Sequence, residues 1–398
     1  MKTYRQIFGI REFRVLFLNT TVGVAGGTMR MLAVATVVYT ATGSPLLTAL
    51  AFLGGFLPQA IGSLTLLSLA DRLPPRAALV TWRVVDAMAG AMFALGFLPV
   101  WAVLLVLLVV GLGDAVVGAI GEAVVLDVVP EGSYVLGRSA LNIAVGSMQI
   151  LGFAASGALL ALTGPSGAFW LSAGLALTSA LVSRLGLQRR PPRTTGEASV
   201  ALTWAGNRRL WGDRTIRRLL LAHWLPNGLI VGAEAMYVPY GAGAGAMFAA
   251  AACGMLVGDI VIGRWVSPRL RATLSLPLYA LLAMPYIFFA LQPAPVVATA
   301  IVLVASFGYA GTLGVTEQFV AKVPEDVRGQ AFGLVGNGMM TAQAVCAAAV
   351  GGVAQLTHPG NAMSVAAIFS LMASVLLLWP MQSASAKRSA ERQRPSVT

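Results

Sequence analysis

Apolar stretches long enough to cross a lipid bilayer as helices fill most of this chain, and arginine and lysine are shut out of every second connection between them. About 20 residues, rising 1.5 Å each, span the hydrocarbon core. Runs of about that length fall near residues 15–40, 46–69, 78–98, 100–126, 139–162, 167–187, 219–240, 243–266, 272–291, 295–320, 331–355 and 361–381. Composition points the same way, with 57% of the 398 residues hydrophobic and 11% charged, against about 25% charged in a soluble protein. A soluble enzyme is excluded, and twelve spans leave no room for a second large soluble domain.

Six alternate connections are built from turn residues: Thr42-Gly43-Ser44-Pro45, Leu98-Pro99, Thr163-Gly164-Pro165-Ser166-Gly167, Gly241-Ala242-Gly243, Gln292-Pro293-Ala294-Pro295 and His358-Pro359-Gly360-Asn361. None of them holds a lysine or arginine. Of the 27 basic residues, 25 lie at the N-terminus, near 72–76, at Arg138, across 184–218, near 264–271, at Lys322 and Arg328, or between Lys387 and Arg394. Positive residues stay on the cytoplasmic side, so both termini are predicted to be cytoplasmic and the number of spans even. The net charge of +12 is then a topology signal, and a nucleic-acid partner is not expected. The first apolar run lacks the small-residue cleavage site of a signal peptide and reads as span one. The predicted location is the cell membrane, as a multi-pass protein of the cell inner membrane.

The longest connection carries Arg189, Arg190, Arg193, Arg208, Arg209 and Arg214 and divides six spans from six. The expected organisation is an N-terminal six-helix bundle at 1–187, a cytoplasmic linker at 188–216, a C-terminal six-helix bundle at 217–381 and a basic cytoplasmic tail at 382–398. Trp204 and Trp211 within the linker fit either a short interfacial helix or a solvated segment. The halves repeat: Val129-Pro130-Glu131 recurs as Val323-Pro324-Glu325, and Leu162-Thr163-Gly164-Pro165 as Leu356-Thr357-His358-Pro359, both at an offset of 194 residues. Two matches at one offset argue for duplication of a six-helix unit. The predicted fold is all-α integral membrane, twelve transmembrane helices in two pseudo-symmetric six-helix bundles.

No phosphate-binding loop, zinc-protease His-Glu-x2-His or Gly-x-Ser-x-Gly elbow is present. Cys253 and Cys346 lie inside apolar runs and read as packing residues; His223 reads as an interfacial polar residue and His358 as part of an outer turn. No cofactor and no metal are expected. The chemistry therefore rests on ionisable groups inside spans, each costing about 2.5–3.5 kcal/mol at a span centre. Arg30 in span one, Asp114 in span four and Glu234 in span seven are the deepest. Asn19, Gly23, Gly27 and Arg30 share one helix face, as do Gly111, Asp114, Gly118 and Glu122, and Asn227, Glu234 and Tyr237. Such stripes fit a wet cavity in which Arg30 reaches Asp114 or Glu234. They equally describe close helix packing around a fixed Arg30–acid pair. Arg83 and Asp86, one turn apart, read as a local structural pair, and Asp259 as a partner of Arg264. Glu122 and Glu317 occupy equivalent places in the repeat and fit either interfacial pairing or gating.

Arg11-Glu12-Phe13-Arg14-Val15-Leu16-Phe17, Val38-Tyr39-Thr40-Ala41-Thr42-Gly43-Ser44-Pro45, Ala70-Asp71-Arg72 with Arg76, and Arg328-Gly329-Gln330-Ala331-Phe332-Gly333, in this order over the full length, resemble a major facilitator superfamily transporter. The branch most resembled is that of bacterial drug exporters, which includes macrolide and enterobactin exporters. The family's loop signature Gly-x3-Asp-Arg-x-Gly-Arg-Arg stands here as Leu67-x3-Asp71-Arg72-Leu73-Pro74-Pro75-Arg76, keeping the acid and two arginines and losing both glycines. The resemblance implies a gating latch made of Asp71, Arg72, Arg76 and Asp127, with Glu122 and Glu317 as further gating candidates. Span five carries Gly152-Phe153-Ala154-Ala155-Ser156-Gly157 where the antiporter signature ends Gly-Pro-x2-Gly-Gly, and the span-four Arg-x3-Gly signature is replaced by Asp114-x3-Gly118.

The expected function is export of a small amphipathic organic molecule, a drug or secreted metabolite, by proton antiport with alternating access. Arg30, Asp114, Glu234, Asn19, Asn227 and Tyr237 are the candidate substrate and proton residues. Partners would be the small-molecule substrate, protons and membrane lipids, with the chain a monomer. Proton-coupled or facilitated uptake is the nearest alternative, and a non-transporting scaffold or lipid-modifying membrane enzyme the alternative from another class. The charge pattern predicts that a single cysteine at Ser44 or Ser166 reacts with an impermeant thiol reagent in intact cells and one at Thr195 does not. Reaction at Thr195 alone would reverse the orientation.

Overall fold

The computed structural model describes residues 4–65, 72–130, 134–192, 208–241, 243–324 and 328–392. Among these the chain is helical and turn, without strands. The helices in order are α1 (Tyr4–Gly9), α2 (Arg11–Thr42), α3 (Pro45–Leu53), α4 (Phe56–Thr65), α5 (Pro75–Leu95), α6 (Val100–Val128), α7 (Tyr134–Gly186), α8 (Arg214–Glu234), α9 (Tyr237–Tyr240), α10 (Ala244–Trp265), α11 (Pro268–Ala283), α12 (Pro295–Phe307), α13 (Gly311–Val320), α14 (Arg328–Leu356) and α15 (Pro359–Arg392). Short 3-10 turns occupy Met284–Leu291 and Gly308–Ala310.

The turn residues act where the sequence placed them. Gly43 adopts φ 62° after α2, and its N–H reaches the Tyr39 carbonyl at 2.7 Å. A left-handed C-cap of this kind favours glycine, which has no Cβ to clash. Ser44 then caps α3, its hydroxyl accepting from the Leu47 N–H at 3.2 Å, with Pro45 at the first helical position where no donor is needed. Gly164, at φ 70°, turns α7 back on itself ahead of Pro165. Pro239 accounts for the end of α8: a proline cannot donate to the carbonyl four residues back, which here is Ala235, and α8 stops at Glu234 before the single turn of α9.

Nine described helical segments are long and apolar enough to cross a membrane, ten if α3 and α4, bent by 41°, form one span. Gly54, Gly55 and Pro58 supply the cause of that bend. α7 counts once in this number despite its turn at Gly164, and α8, which contains His223, Asn227 and Glu234, is not among the nine.

Two compact units divide the chain, Met1–Ala198 with Ala235–Ala252, and Ser199–Glu234 with Cys253–Thr398. Aromatic packing explains why Ala235–Ala252 joins the first unit. The Phe248 ring lies 4.7 Å from those of Phe52, Phe153 and Tyr237, stacked on the two phenylalanines and edge-on to the tyrosine. Tyr39 also donates its hydroxyl to the Pro239 carbonyl at 3.3 Å.

Within each unit the helices meet along seams of small residues. Ser172 and Ser156 on α7 donate to the Gly26 and Met29 carbonyls of α2, at 2.8 and 3.1 Å. In the second unit Gly228 and Gly232 of α8 face the α14 backbone at Ala342 and Cys346, and Ser370 of α15 donates to the Pro226 carbonyl at 2.8 Å. Lipid tails are as apolar as leucine, so helices gain by close backbone approach more than by burying bulk. Gly258 illustrates the constraint, because a Cβ there would strike the Phe307 carbonyl, whereas a Cβ at Gly118 meets nothing within 4 Å. Gly258→Ala is therefore expected to destabilise the protein by about 1–3 kcal/mol and Gly118→Ala to leave the melting temperature nearly unchanged. Equal melting curves for the two variants would contradict the seam.

Candidate functional site

Span one brings its arginine into an ion pair with an acid that its sequence position did not suggest. Arg30, buried on α2, forms an ion pair with Asp86 of α5, also buried. The expected contact with Asp114 is corrected in part: Asp86 of α5 takes the guanidinium as its ion-pair partner, while Asp114 of α6 acts on Arg30 only electrostatically. Asp86 also faces Arg83 one turn earlier, Nη1 to Oδ2 being 3.6 Å, so the local pair is present but shared. Arg83 further donates from Nε to Asn19 Oδ1 at 3.2 Å, and the Ser179 hydroxyl donates to the same oxygen.

Asp114 is committed differently. The Trp82 indole of α5 donates to its Oδ1 at 2.8 Å, and Arg30, Asp86 and Arg83 all act on it electrostatically. Its neighbour Gly113 makes this possible, since a Cβ there would overlap the Trp82 ring. Gly23 has the same role for Arg83, whose guanidinium occupies the space a side chain would take. The small-residue stripes therefore divide. Gly23 and Gly111 are contact positions, Gly111 lying against the Gly55 backbone, while a methyl group added at Gly27 or Gly118 would meet nothing within 4 Å. Two arginines and two aspartates sum to zero charge, and each is held by at least one neighbour.

A separate depression of about 650 Å³ in the first unit is lined by Leu32, Thr36, Tyr39, Gly157, Val238 and Gly245 among others. None of the intramembrane charges lines it.

The second unit holds the remaining candidates. Asn227 is buried on α8 and donates from Nδ2 to the Met339 sulfur at 3.2 Å. Glu234, partly buried at the end of α8, is hydrogen-bonded to Tyr286 and makes no ion pair among the described residues. Tyr237 does not continue that stripe. The break at Ala235 and Met236 places it in the first unit, fully buried against Phe248. His223, read as interfacial, is buried with Nε2 3.0 Å from the Thr316 hydroxyl. Trp211 is stacked on Trp224, ring centroids 5.7 Å apart, while Trp204 lies outside the described residues.

Sequence reasoning passed over a polar group between α10, α11 and α12. A Cβ on Gly254 or Gly258 would meet the backbone of Leu303 to Phe307, and one on Gly308 the backbone of Leu278 and Leu282, so three helices approach closely. Asp259 Oδ1, the Tyr279 hydroxyl and the Ser306 hydroxyl are buried there without a hydrogen-bond partner, and Tyr309 feels both Asp259 and Glu234 electrostatically. Arg264, the expected partner of Asp259, forms no ion pair with it. The only advance signal was the carboxylate itself, set inside an apolar run.

Of the expected latch, Asp71 lies outside the described residues. Arg72 is exposed, and Arg76 donates to the Leu187 carbonyl at 3.3 Å. Asp127, exposed near the end of α6, acts electrostatically on Arg190, which forms a two-point ion pair with Glu12 at 2.7 and 2.9 Å. Glu317 pairs with Arg271, while Glu122 sits partly buried on α6.

Residues 16–325 match the profile described as Major Facilitator Superfamily. Comparison with curated proteins gives no match. Among solved structures the chain is similar to a POT family transporter in complex with a thioalcohol-conjugated peptide, at 12% identity over 92% of this chain and 95% of that one, TM-score 0.72. It is similar to a bacterial homologue of the human lysosomal transporter Spinster at 15% identity over 92% and 96%, TM-score 0.68. The human organic anion transporter MFSD10 (TETRAN) matches at 19% identity over 92% and 99%, TM-score 0.62.

The charge cluster makes a sharp distinction between its two acids. Asp86→Asn removes the ion-pair partner of the buried Arg30 and is expected to cost about 3–5 kcal/mol, read as a fall in melting temperature. Asp114→Asn keeps an oxygen for the Trp82 indole and should cost clearly less. Equal losses, or a larger loss at Asp114, would mean that Arg30 depends on Asp114 after all.

Proposed function

The chain belongs to the Major Facilitator Superfamily, and from that premise we propose that it is a secondary active transporter exporting a small amphipathic organic molecule in exchange for protons. Membership places it among membrane transporters rather than enzymes. The proposal adds the bacterial drug-exporter branch, twelve spans in two six-helix bundles, a cell-membrane location with cytoplasmic termini, and work by alternating access.

The observation that carries the reading is the charged group of Arg30 and Asp86, both buried, with Arg83 and Asp114, both partly buried. Ionisable side chains at membrane depth are costly and are kept where they serve a pathway or a proton relay. Asp86 neutralises Arg30 directly, which leaves Asp114, held by a neutral indole, as the acid able to change protonation without breaking an ion pair. Glu234, also free of an ion pair among the described residues, is its counterpart in the second unit. A coupled carrier needs such groups, because a carboxyl changes its proton affinity when burial or a neighbouring charge changes. The similar solved structures include a POT family transporter in complex with a thioalcohol-conjugated peptide and an organic anion transporter, which supports an organic solute as cargo.

Asp114→Asn and Glu234→Gln, each alone, test the coupling in proteoliposomes. At least one variant is expected to keep its melting temperature and its substrate counterflow and to lose accumulation driven by a pH gradient. If both retain full gradient-driven transport, neither acid is the coupling group, and Asp259 becomes the acid to replace.

A further inference from the structure

We propose that the first unit carries a binding site for the phosphate of an anionic phospholipid, formed by Arg76, Arg184, Arg189 and Arg190. These four arginines line one cavity of about 440 Å³, together with Pro74, Ala77, Val80 and Thr81. Among the described residues their charges are not balanced. Arg190 is answered by Glu12, with Asp127 acting on it at longer range. Arg76 donates to a neutral carbonyl, that of Leu187, and Arg184 and Arg189 are exposed with no ion pair among the described residues. Three guanidinium groups thus face one cavity without a carboxylate of their own among the described residues. Like charges drawn together cost energy unless an anion joins them, and guanidinium groups match phosphate oxygens with paired, charge-assisted hydrogen bonds.

A lipid rather than a free anion fits the ground next to the cavity. Arg184 stands in the last turn of α7, and Leu177 and Leu181 leading to it are 52% and 56% exposed, as is Leu185 beside it at 68%. Leu177, Leu181 and Arg184 fall at helical spacing on one face, so an apolar strip runs along the helix into the arginines. That is the sequence of surfaces a phospholipid presents, acyl chain first and phosphate last. On the topology proposed above, the cavity lies at the cytoplasmic headgroup level, where basic pockets between spans meet anionic lipids. The site is separate from the intramembrane acids and does not depend on the identity of the cargo.

The test compares the protein in nanodiscs of phosphatidylcholine alone with nanodiscs containing added phosphatidylglycerol, reading melting temperature, and counts retained lipid by native mass spectrometry. Phosphatidylglycerol is expected to raise the melting temperature and to be retained several-fold over phosphatidylcholine. Arg184→Gln with Arg189→Gln should abolish both effects while melting normally in phosphatidylcholine; Arg214→Gln with Arg218→Gln, an equal loss of charge elsewhere, should abolish neither. Should the first double variant melt early in phosphatidylcholine, Arg184→Lys with Arg189→Lys is used instead, and a several-fold loss of lipid retention is expected because lysine cannot make the paired contact. Equal retention of the two lipids, equal effects of the two double variants, or full replacement of phosphatidylglycerol by inorganic phosphate would each overturn the proposal.

Discussion

A guanidinium held inside a bilayer has to be answered by a carboxylate, and the ion pair of Arg30 with Asp86 is the contact around which the first unit is arranged. Once Asp86 is committed to Arg30, Arg83 shares it and turns its remaining donor to Asn19, and Asn19 in turn accepts from Ser179. Asp114 is left to the Trp82 indole. Each link removes a polar atom from hydrocarbon by giving it a neighbour, and together they tie α2, α5, α6 and α7. The network is structural. Its charges cancel, yet one of its acids is held by a neutral donor.

The glycines make this network possible. Gly23 clears the space that the Arg83 guanidinium fills, and Gly113 the space for the Trp82 ring. Elsewhere glycine and serine set the distance between backbones, at Gly26 with Ser172 and at Gly232 with Cys346. In the second unit the same close approach at Gly254, Gly258 and Gly308 surrounds Asp259, Tyr279 and Ser306, whose buried polar atoms have no partner. Close packing there brings polar groups together without satisfying them, whereas in the first unit it satisfies them all but for the Ser183 hydroxyl among the described residues.

Parts of the site were legible in the sequence because they are properties of single residues. Arg30, Asp114 and Glu234 stand out as charges in apolar runs wherever their helices end up. Their partners are not of this kind. Asp86 looked like a local match for Arg83, since a spacing of three residues is visible in the sequence, while its contact with Arg30 joins residues 56 apart. Tyr237 followed the helical spacing of Asn227 and Glu234, but Pro239 interrupts that helix and the ring packs against Phe248. Asp259 was assigned to Arg264 on the same local logic and lies instead among tyrosines.

The sequence by itself determined that this chain is helical, that it spans a membrane many times and where its turns fall. Hydropathy, charge placement and the glycines and prolines of the connections act residue by residue and add along the chain. Only the tertiary structure decided which charge meets which, whether a small residue is a contact or an opening, and which arginines share a cavity. Those outcomes depend on how each helix is rotated about its axis and slid along its neighbour. That rotation and shift are fixed by backbone contacts between segments far apart in the chain, which no local pattern records.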